Sequence, residues 1–341
     1  MSASLKQRTT GYQRNLASFS FLVFAASLVV IYAGGFTTTI GAGMVFLDWP
    51  LSNGSLNPPG WVTDQDMLAE HSHRLMGATT GLLAIVLAVW MYLRQGRTWL
   101  RWLSYGALAF IVFQGLLGGA RVLLVSVDLA QIHGITAQLF LCTLVALSVG
   151  TSAWWQRLPT EVVPAHAPAW SRQRTLGLVL IVLLVVQLVL GATLRHRGAG
   201  LAIPYFPASA ADGSLLPPAW NWAVTIHFAH RAVALGLSVL LVAWAWLVWR
   251  SPFAIPAMRR LAVTSVVLLV VQVLLGASVI WTLRQPLETT LHVLNGALLL
   301  SAVSALTFAY FRPILEGSAR TVAAPAAAEP IASGSLTPQR G

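Results

Sequence analysis

Four histidines lie within long apolar runs of this 341-residue chain: His73, His133, His230 and His292. Ionisable groups in such runs are costly to bury and are by default candidates for function. Two imidazoles facing each other from different helices suit the two axial positions of a heme iron, or a metal held by few ligands. A single buried histidine is more often a hydrogen-bonded core residue. Two pairs at matching places in a duplicated sequence shift the balance toward ligation. Each pair lacks the third and fourth ligands that a closed zinc site wants. No Cys or Met cluster accompanies the histidines, which makes copper less apt.

Glu70 stands three residues before His73, on the same helix face. It is either a charge at a loop end or an acid/base or charge-stabilising group beside a reacting substrate. The matching place further along the chain holds His227, so only one pair has a carboxylate beside it. That asymmetry suggests that the first pair serves chemistry and the second a permanent cofactor. Arg74 and Arg231 directly follow a histidine. Each either snorkels to the headgroup zone or offers its fork to a heme propionate. His71 should face away from His73, and His166 and His196 read as solvated loop residues. His227 could assist the second pair by hydrogen bonding. The Gln-x-x-x-Gly elements, Gln187 with Gly191 among them, read as close helix packing. The outer loops 40–67 and 196–220, rich in Gly, Pro and Trp, could cover the sites or simply connect the helices.

What must position these residues is a membrane bundle. The chain is 57% hydrophobic and 9% charged, against roughly 25% charged in a soluble domain. Its apolar runs reach the roughly 20 residues needed to cross the bilayer as helix, without the alternating pattern of barrel strands. Eight spans are expected, near 19–39, 68–93, 102–121, 130–154, 175–195, 221–249, 261–282 and 289–311. The first is read as a retained helix and not a cleaved signal. The net charge of +11 sits in short clusters between spans, which marks topology and not nucleic-acid binding. The clusters Arg94, Arg97, Arg101 and Arg157, Arg172, Arg174 and Arg250, Arg259, Arg260 fall on one side. The positive-inside rule then places both termini in the cytoplasm and all four histidines toward the outer face. The one cysteine, Cys142, excludes an intramolecular disulfide.

The sequence repeats itself. Gly41-Ala42-Gly43, Pro50 and His73-Arg74 recur 157 residues on as Gly198-Ala199-Gly200, Pro207 and His230-Arg231. Gln114 and Leu116-Leu117-Gly118 recur 158 residues on, and His133 meets His292 at 159. The expected fold is therefore an all-α membrane protein of eight transmembrane helices, in two pseudo-symmetric four-helix bundles. The expected divisions are a cytoplasmic segment 1–18, a substrate-heme half 19–154, a linker 155–174, a cofactor-heme half 175–312 and a disordered tail 313–341.

With Glu70-x-x-His73-Arg74, His230-Arg231, His133 and His292 in place, residues 20–312 resemble the heme A synthase family. The resemblance implies oxidation of the C8 methyl group of heme O to the formyl group of heme A, through hydroxylated intermediates, for cytochrome c oxidase biogenesis. It implies that His73 and His133 ligate or position the substrate heme, with Glu70 as the key carboxylate, and that His230 and His292 ligate a heme b. The implied partners are the heme O synthase (a protoheme farnesyltransferase) and oxidase assembly factors, in a bacterial inner membrane; homo-oligomerisation is left open. Some family members carry a cysteine pair in the first outer loop, and this chain has none there, so no thiol redox step can operate in it.

Two rivals predict different observations. A diheme b-type electron-transfer cytochrome, quinol-linked, would usually stack its hemes at different depths, whereas these histidines share one depth. A duplicated-bundle transporter predicts a midplane site on broken helices and a colourless protein.

Overall fold

The computed structural model describes residues 8–317. Eight of its helices are long and apolar enough to cross a membrane: α1 (Arg14–Thr39), α2 (Gln65–Arg94), α3 (Thr98–Leu123), α4 (Val127–Thr151), α5 (Ala167–His196), α6 (Trp222–Arg250), α7 (Pro256–Trp281) and α8 (Pro286–Ala309). A short α9 follows at Arg312–Glu316. Every expected span is present, and all the helices but α6 begin before their apolar windows. Asp64, Ser126 and Asn221 accept first-turn N–H groups of α2, α4 and α6. Prolines occupy the first turns of α5, α7 and α8, where the missing N–H costs nothing. The fourth span stops at Thr151 instead of residue 154, and its expected last turn opens into a single 3-10 turn at Trp155–Arg157.

Two stops matter for the site. Gly41 and Gly198 turn left-handed at the ends of α1 and α5, with φ of 81° and 70°. The N–H of the residue after each returns to Thr37 and Leu194 respectively, both at 2.9 Å. Glycine takes this backbone conformation without a Cβ penalty, so both loops leave their helix in the same way.

The helices pack as two rings of four: α1 on α2 and α4, with α3 closing the first, and α5 on α6 and α8, with α7 closing the second. The rings join through α1, α4, α5 and α8. Arg195 of α5 crosses this seam to donate to Gly35 O and Thr39 Oγ1 of α1. α8, which serves both its own ring and the seam, is the most enclosed span.

The two ends of the bundle differ. At the arginine-rich end, Trp155, Trp170, Trp244 and Tyr310 are buried among Leu241, Val248 and Leu306. Each indole finds a polar partner: Tyr310 O for Trp170, Gln173 O for Trp244 and Glu316 for Trp155. Glu316 also pairs with Arg97 and Arg312, and Arg312 donates to Leu158 O at 2.6 Å. Residues 313–317, expected in an unstructured tail, are thus docked, because α9 supplies the acceptor for two buried arginines. The expected tail beyond them, 318–341, lies outside the described residues, as does 1–7 of the N-terminal segment. The opposite end carries the connections 40–64 and 197–221 and is called the long-loop end below.

Candidate functional site

His73, His133, His230 and His292 stand in the first three turns of α2, α4, α6 and α8, all at the long-loop end. At 1.5 Å per residue they lie about 9–12 Å in from those helix starts. Within the first ring, His133 is in electrostatic reach of His73; within the second, His230 is in reach of His292. The packing places the histidines of each expected pair in one ring of helices.

Each ring is seated against a glycine on the preceding helix. A Cβ added at Gly34 of α1 would stand 2.6 Å from His73 Cε1. At Gly118, Gly191 and Gly276 it would stand 3.1, 3.2 and 3.1 Å from Cε1 of His133, His230 and His292. Four helix hairpins thus repeat one device, a glycine that lets an imidazole approach the neighbouring backbone. All four rings are only partly covered by protein, and all four bury Nδ1 while lying against the backbone of the residue four before the seat glycine: Val30, Gln114, Gln187 and Gln272 for His73, His133, His230 and His292. A ring whose one nitrogen is buried toward the neighbouring backbone has its other nitrogen, Nε2, left to bind a ligand. Among the described residues no three His, Cys, Asp or Glu side chains converge. A bare metal ion would therefore complete its shell from outside the protein, whereas a porphyrin brings four nitrogens and needs only two axial donors.

Arg74 and Arg231 do the same thing in the two halves. Arg74 donates to Phe46 O (2.9 Å), Asp48 O (2.8 Å) and Leu51 O (2.7 Å). Arg231 donates to Ile203 O (3.1 Å), Tyr205 O (2.7 Å) and Ala208 O (3.1 Å). The acceptors of the second set lie 157 residues after those of the first. The planar fork gathers three carbonyls and folds the loop over its helix. Both arginines thus act as loop clamps, and Arg231 Nε is left without a protein partner.

Glu70 is 1% exposed and fully satisfied. Oε1 lies 2.6 Å from Arg74 Nη2, and Oε2 accepts the N–H groups of Val45 (2.8 Å) and Phe46 (3.1 Å). His227, 4% exposed, accepts the N–H of Ile203 through Nδ1 at 3.2 Å. His71 faces away from His73 as expected, held by Ser52 Oγ and Leu56 O and edged by Trp61. His196 is the last residue of α5 and half-buried, and His166 is half-buried against Phe253, so neither is the free loop residue that the sequence suggests.

Outside the spans, the Asp48 carboxylate accepts the N–H groups of Gly54 (2.7 Å) and Asn53 (2.8 Å). These bonds, Gly54's first, hold its pKa below the usual carboxylate value. Asn53 and Gly54 are both left-handed, forming the tight turn that Asn-Gly favours.

Sequence reasoning passed over two sets of residues. Arg121, taken as an outer-loop charge, closes α3 and donates to Gly43 O, within electrostatic reach of His73, His133 and Glu70. Its signal was an arginine within the last turn of an apolar run. Gln187 and Gln272, read as packing residues, approach histidine rings. Gln187 Nε2 is 3.2 Å from His230 Nε2, and Gln272 Nε2 is 3.3 Å from His292 Nε2. A cleft of about 720 Å³ opens between the rings, lined by Asp128, Gln131, Thr193 and Arg197 among others.

A family model described as cytochrome oxidase assembly protein matches residues 17–304. A heme A synthase of Symbiobacterium thermophilum is 34% identical over 269 residues, covering 77% of this chain and 84% of its own. Heme A synthases of Alkalihalophilus pseudofirmus and Geobacillus kaustophilus are each 28% identical, covering 88% and 79% of this chain and 99% and 83% of theirs.

Proposed function

This chain belongs to the cytochrome oxidase assembly protein family, and from that premise we propose that it is a heme A synthase, an oxidoreductase converting the C8 methyl of heme O to a formyl group. The observation that carries the reading is the set of four glycine-seated imidazoles, two in electrostatic reach of each other within each ring. Going from methyl to formyl removes four electrons and adds one oxygen, by way of a hydroxymethyl stage.

In this reading α1–α4 hold the substrate and α5–α8 a resident heme b. His230 and His292 would hold that heme b, which would supply one-electron redox chemistry. His73 and His133 fix the position of heme O, which sets where its C8 methyl lies. Arg121 balances the anionic edge of that ligand. The loop clamped by Arg74 closes over the first ring and limits water. Glu70 fixes the same loop at Val45 and Phe46 and keeps a carboxylate beside His73, where it stabilises positive charge or takes up a proton. The long-loop end faces outward, both termini are cytoplasmic, and the membrane is the bacterial inner membrane. Heme O would come from a heme O synthase, and the product would pass to oxidase assembly factors.

The test is heme extraction from protein purified after co-expression with a heme O synthase, followed by chromatography with mass detection. Heme A or its hydroxylated precursor, together with heme b, is expected. Heme b alone would point to an electron-transfer cytochrome, and no heme at all to a transporter.

A further inference from the structure

Arg121 has no match in the second copy of the repeat. Along α3 and α7 the offset is 158, which sets Val279 in its place. The connections that follow differ in length: three residues, 124–126, join α3 to α4, and four, 282–285, join α7 to α8. Both chains turn in the same way. Ser126 N–H returns to Arg121 O at 3.0 Å, and Arg284 N–H returns to Val279 O at 2.7 Å. Val125 is left-handed in the shorter turn, with φ of 48°, and Leu283 and Arg284 are both left-handed in the longer one, at 53° and 67°. Non-glycine residues seldom take this conformation. The longer turn spends it twice, and the second time on an arginine.

That arginine returns to the place where Val279 leaves no cation. Gly43 and Gly200 are repeat partners in the two long loops. A Cβ added at Gly43 would stand 3.1 and 3.2 Å from Arg121 Nη1 and Nη2, and one at Gly200 would stand 3.6 and 3.8 Å from Arg284 Cδ and Nε. Two arginines from unmatched sequence positions thus lie against the same loop glycine of the repeat. Their surroundings differ. Arg121 donates to Gly43 O and has Glu70 in electrostatic reach. No ion pair among the described residues includes Arg284, although Glu288 stands one turn on in the chain. Its charged neighbour is Arg195, whose guanidinium donates across the seam to Gly35 and Thr39 and buries Nε without a partner. Arg231, clamping the same loop, also buries Nε without one. Like charges side by side repel, and buried N–H groups without acceptors are costly, so this corner calls for an anion.

His230 and His292 lie about 12 and 9 Å in from the same end. A porphyrin standing between them turns one edge toward the loops, and its propionates are its charged groups. A guanidinium fork takes a carboxylate through two parallel N–H groups. We propose that Arg284 binds a propionate carboxylate of the heme held by His230 and His292, with Arg195 adding positive charge beside it. This rests on the reading of the second ring as a heme site. The extra turn residue gives that ring the cation that Arg121 gives the first.

The test uses the full chain in detergent, produced without heme, in a His73→Leu/His133→Leu background so that only the second ring binds. Hemin and hemin dimethyl ester, which lacks free carboxylates, are the probes, and the heme absorption band reads their affinity. Arg284→Asn suits the left-handed turn. It should weaken hemin about tenfold, the worth of one charge-assisted hydrogen bond, and leave ester affinity within about twofold. Arg284→Lys keeps the charge without the fork and should fall between. Detergent partitioning of the two probes cancels when their affinity ratio is compared between chains. A ratio that Arg284→Asn leaves unchanged would overturn the inference, whether both probes hold their affinity or both weaken alike, and would leave the second-ring reading standing. Failure of the background chain to bind either probe would overturn that reading and the inference with it.

Discussion

Glu70 and His227 occupy the same place in the two rings, and each accepts a loop N–H: Phe46 at 3.1 Å for Glu70 and Ile203 at 3.2 Å for His227. The anchor is copied while the charge is not. Glu70 therefore has a structural duty that any chemical role is added to, and a test must separate the two.

Glu70→Gln should abolish heme A formation while second-ring heme stays bound. It should also destabilise the chain by about 1–3 kcal/mol, because one amide cannot accept from Arg74 and both loop N–H groups. Glu70→His copies the second ring and restores an acceptor for Phe46 without a carboxylate. If the carboxylate does chemistry, Glu70→His is inactive although its loop is as resistant to protease as the wild type's. Normal heme A levels in a strain carrying either variant would remove Glu70 from the mechanism.

The glycine seats make a graded prediction. Gly34→Ala places a Cβ 2.6 Å from His73 Cε1, so the ring must move. First-ring heme binding should fall at least tenfold, read from the heme absorption band. Gly118→Ala, Gly191→Ala and Gly276→Ala, at 3.1–3.2 Å, should lose less. Gly77→Ala, with nothing within 4 Å on α2, is the control and should gain about 0.5–1 kcal/mol from helix propensity.

Arg231→Lys keeps the charge but replaces a planar fork that gathers three carbonyls with a single ammonium. Residues 203–208 should exchange amide hydrogens at least tenfold faster, while α6 is unaffected. Arg74→Lys should do the same at residues 46–51. Equal exchange in wild type and variants would show that the loops are held by other contacts.

Asp48 gives the first loop a pH dependence. Its pKa in the folded chain is below the usual carboxylate value, chiefly through the Gly54 N–H. A depressed carboxylate stabilises the turn at pH above the unfolded value, about 4. That contribution is lost as pH falls through the folded pKa. Protection of the Asn53 and Gly54 amides, measured against the intrinsic exchange rate at each pH, should fall below about pH 4, and Asp48→Asn should lack that protection at every pH. A flat profile in the wild type would exclude this carboxylate as the cap.

The membrane class, the eight helices and the four histidines were legible in the sequence because each rests on local chemistry. A run of about 20 apolar residues spans the bilayer as helix whatever surrounds it, and histidines in such runs are conspicuous by their cost. The repeat was legible because both copies keep their spacing from Gly41 to His73 and from Gly198 to His230. Only the tertiary structure decided what the polar side chains touch. Arg74 and Arg231 were open between headgroup and propionate, and they bind loop carbonyls that sequence separation hides. Gln187 and Gln272 looked like packing residues because spacing along one helix does not say which neighbour lies opposite. The match between Arg121 and Arg284 has meaning only once Gly43 and Gly200 stand beside them. Hydrogen-bond direction is set by partners brought together across helices, and a linear sequence does not contain them.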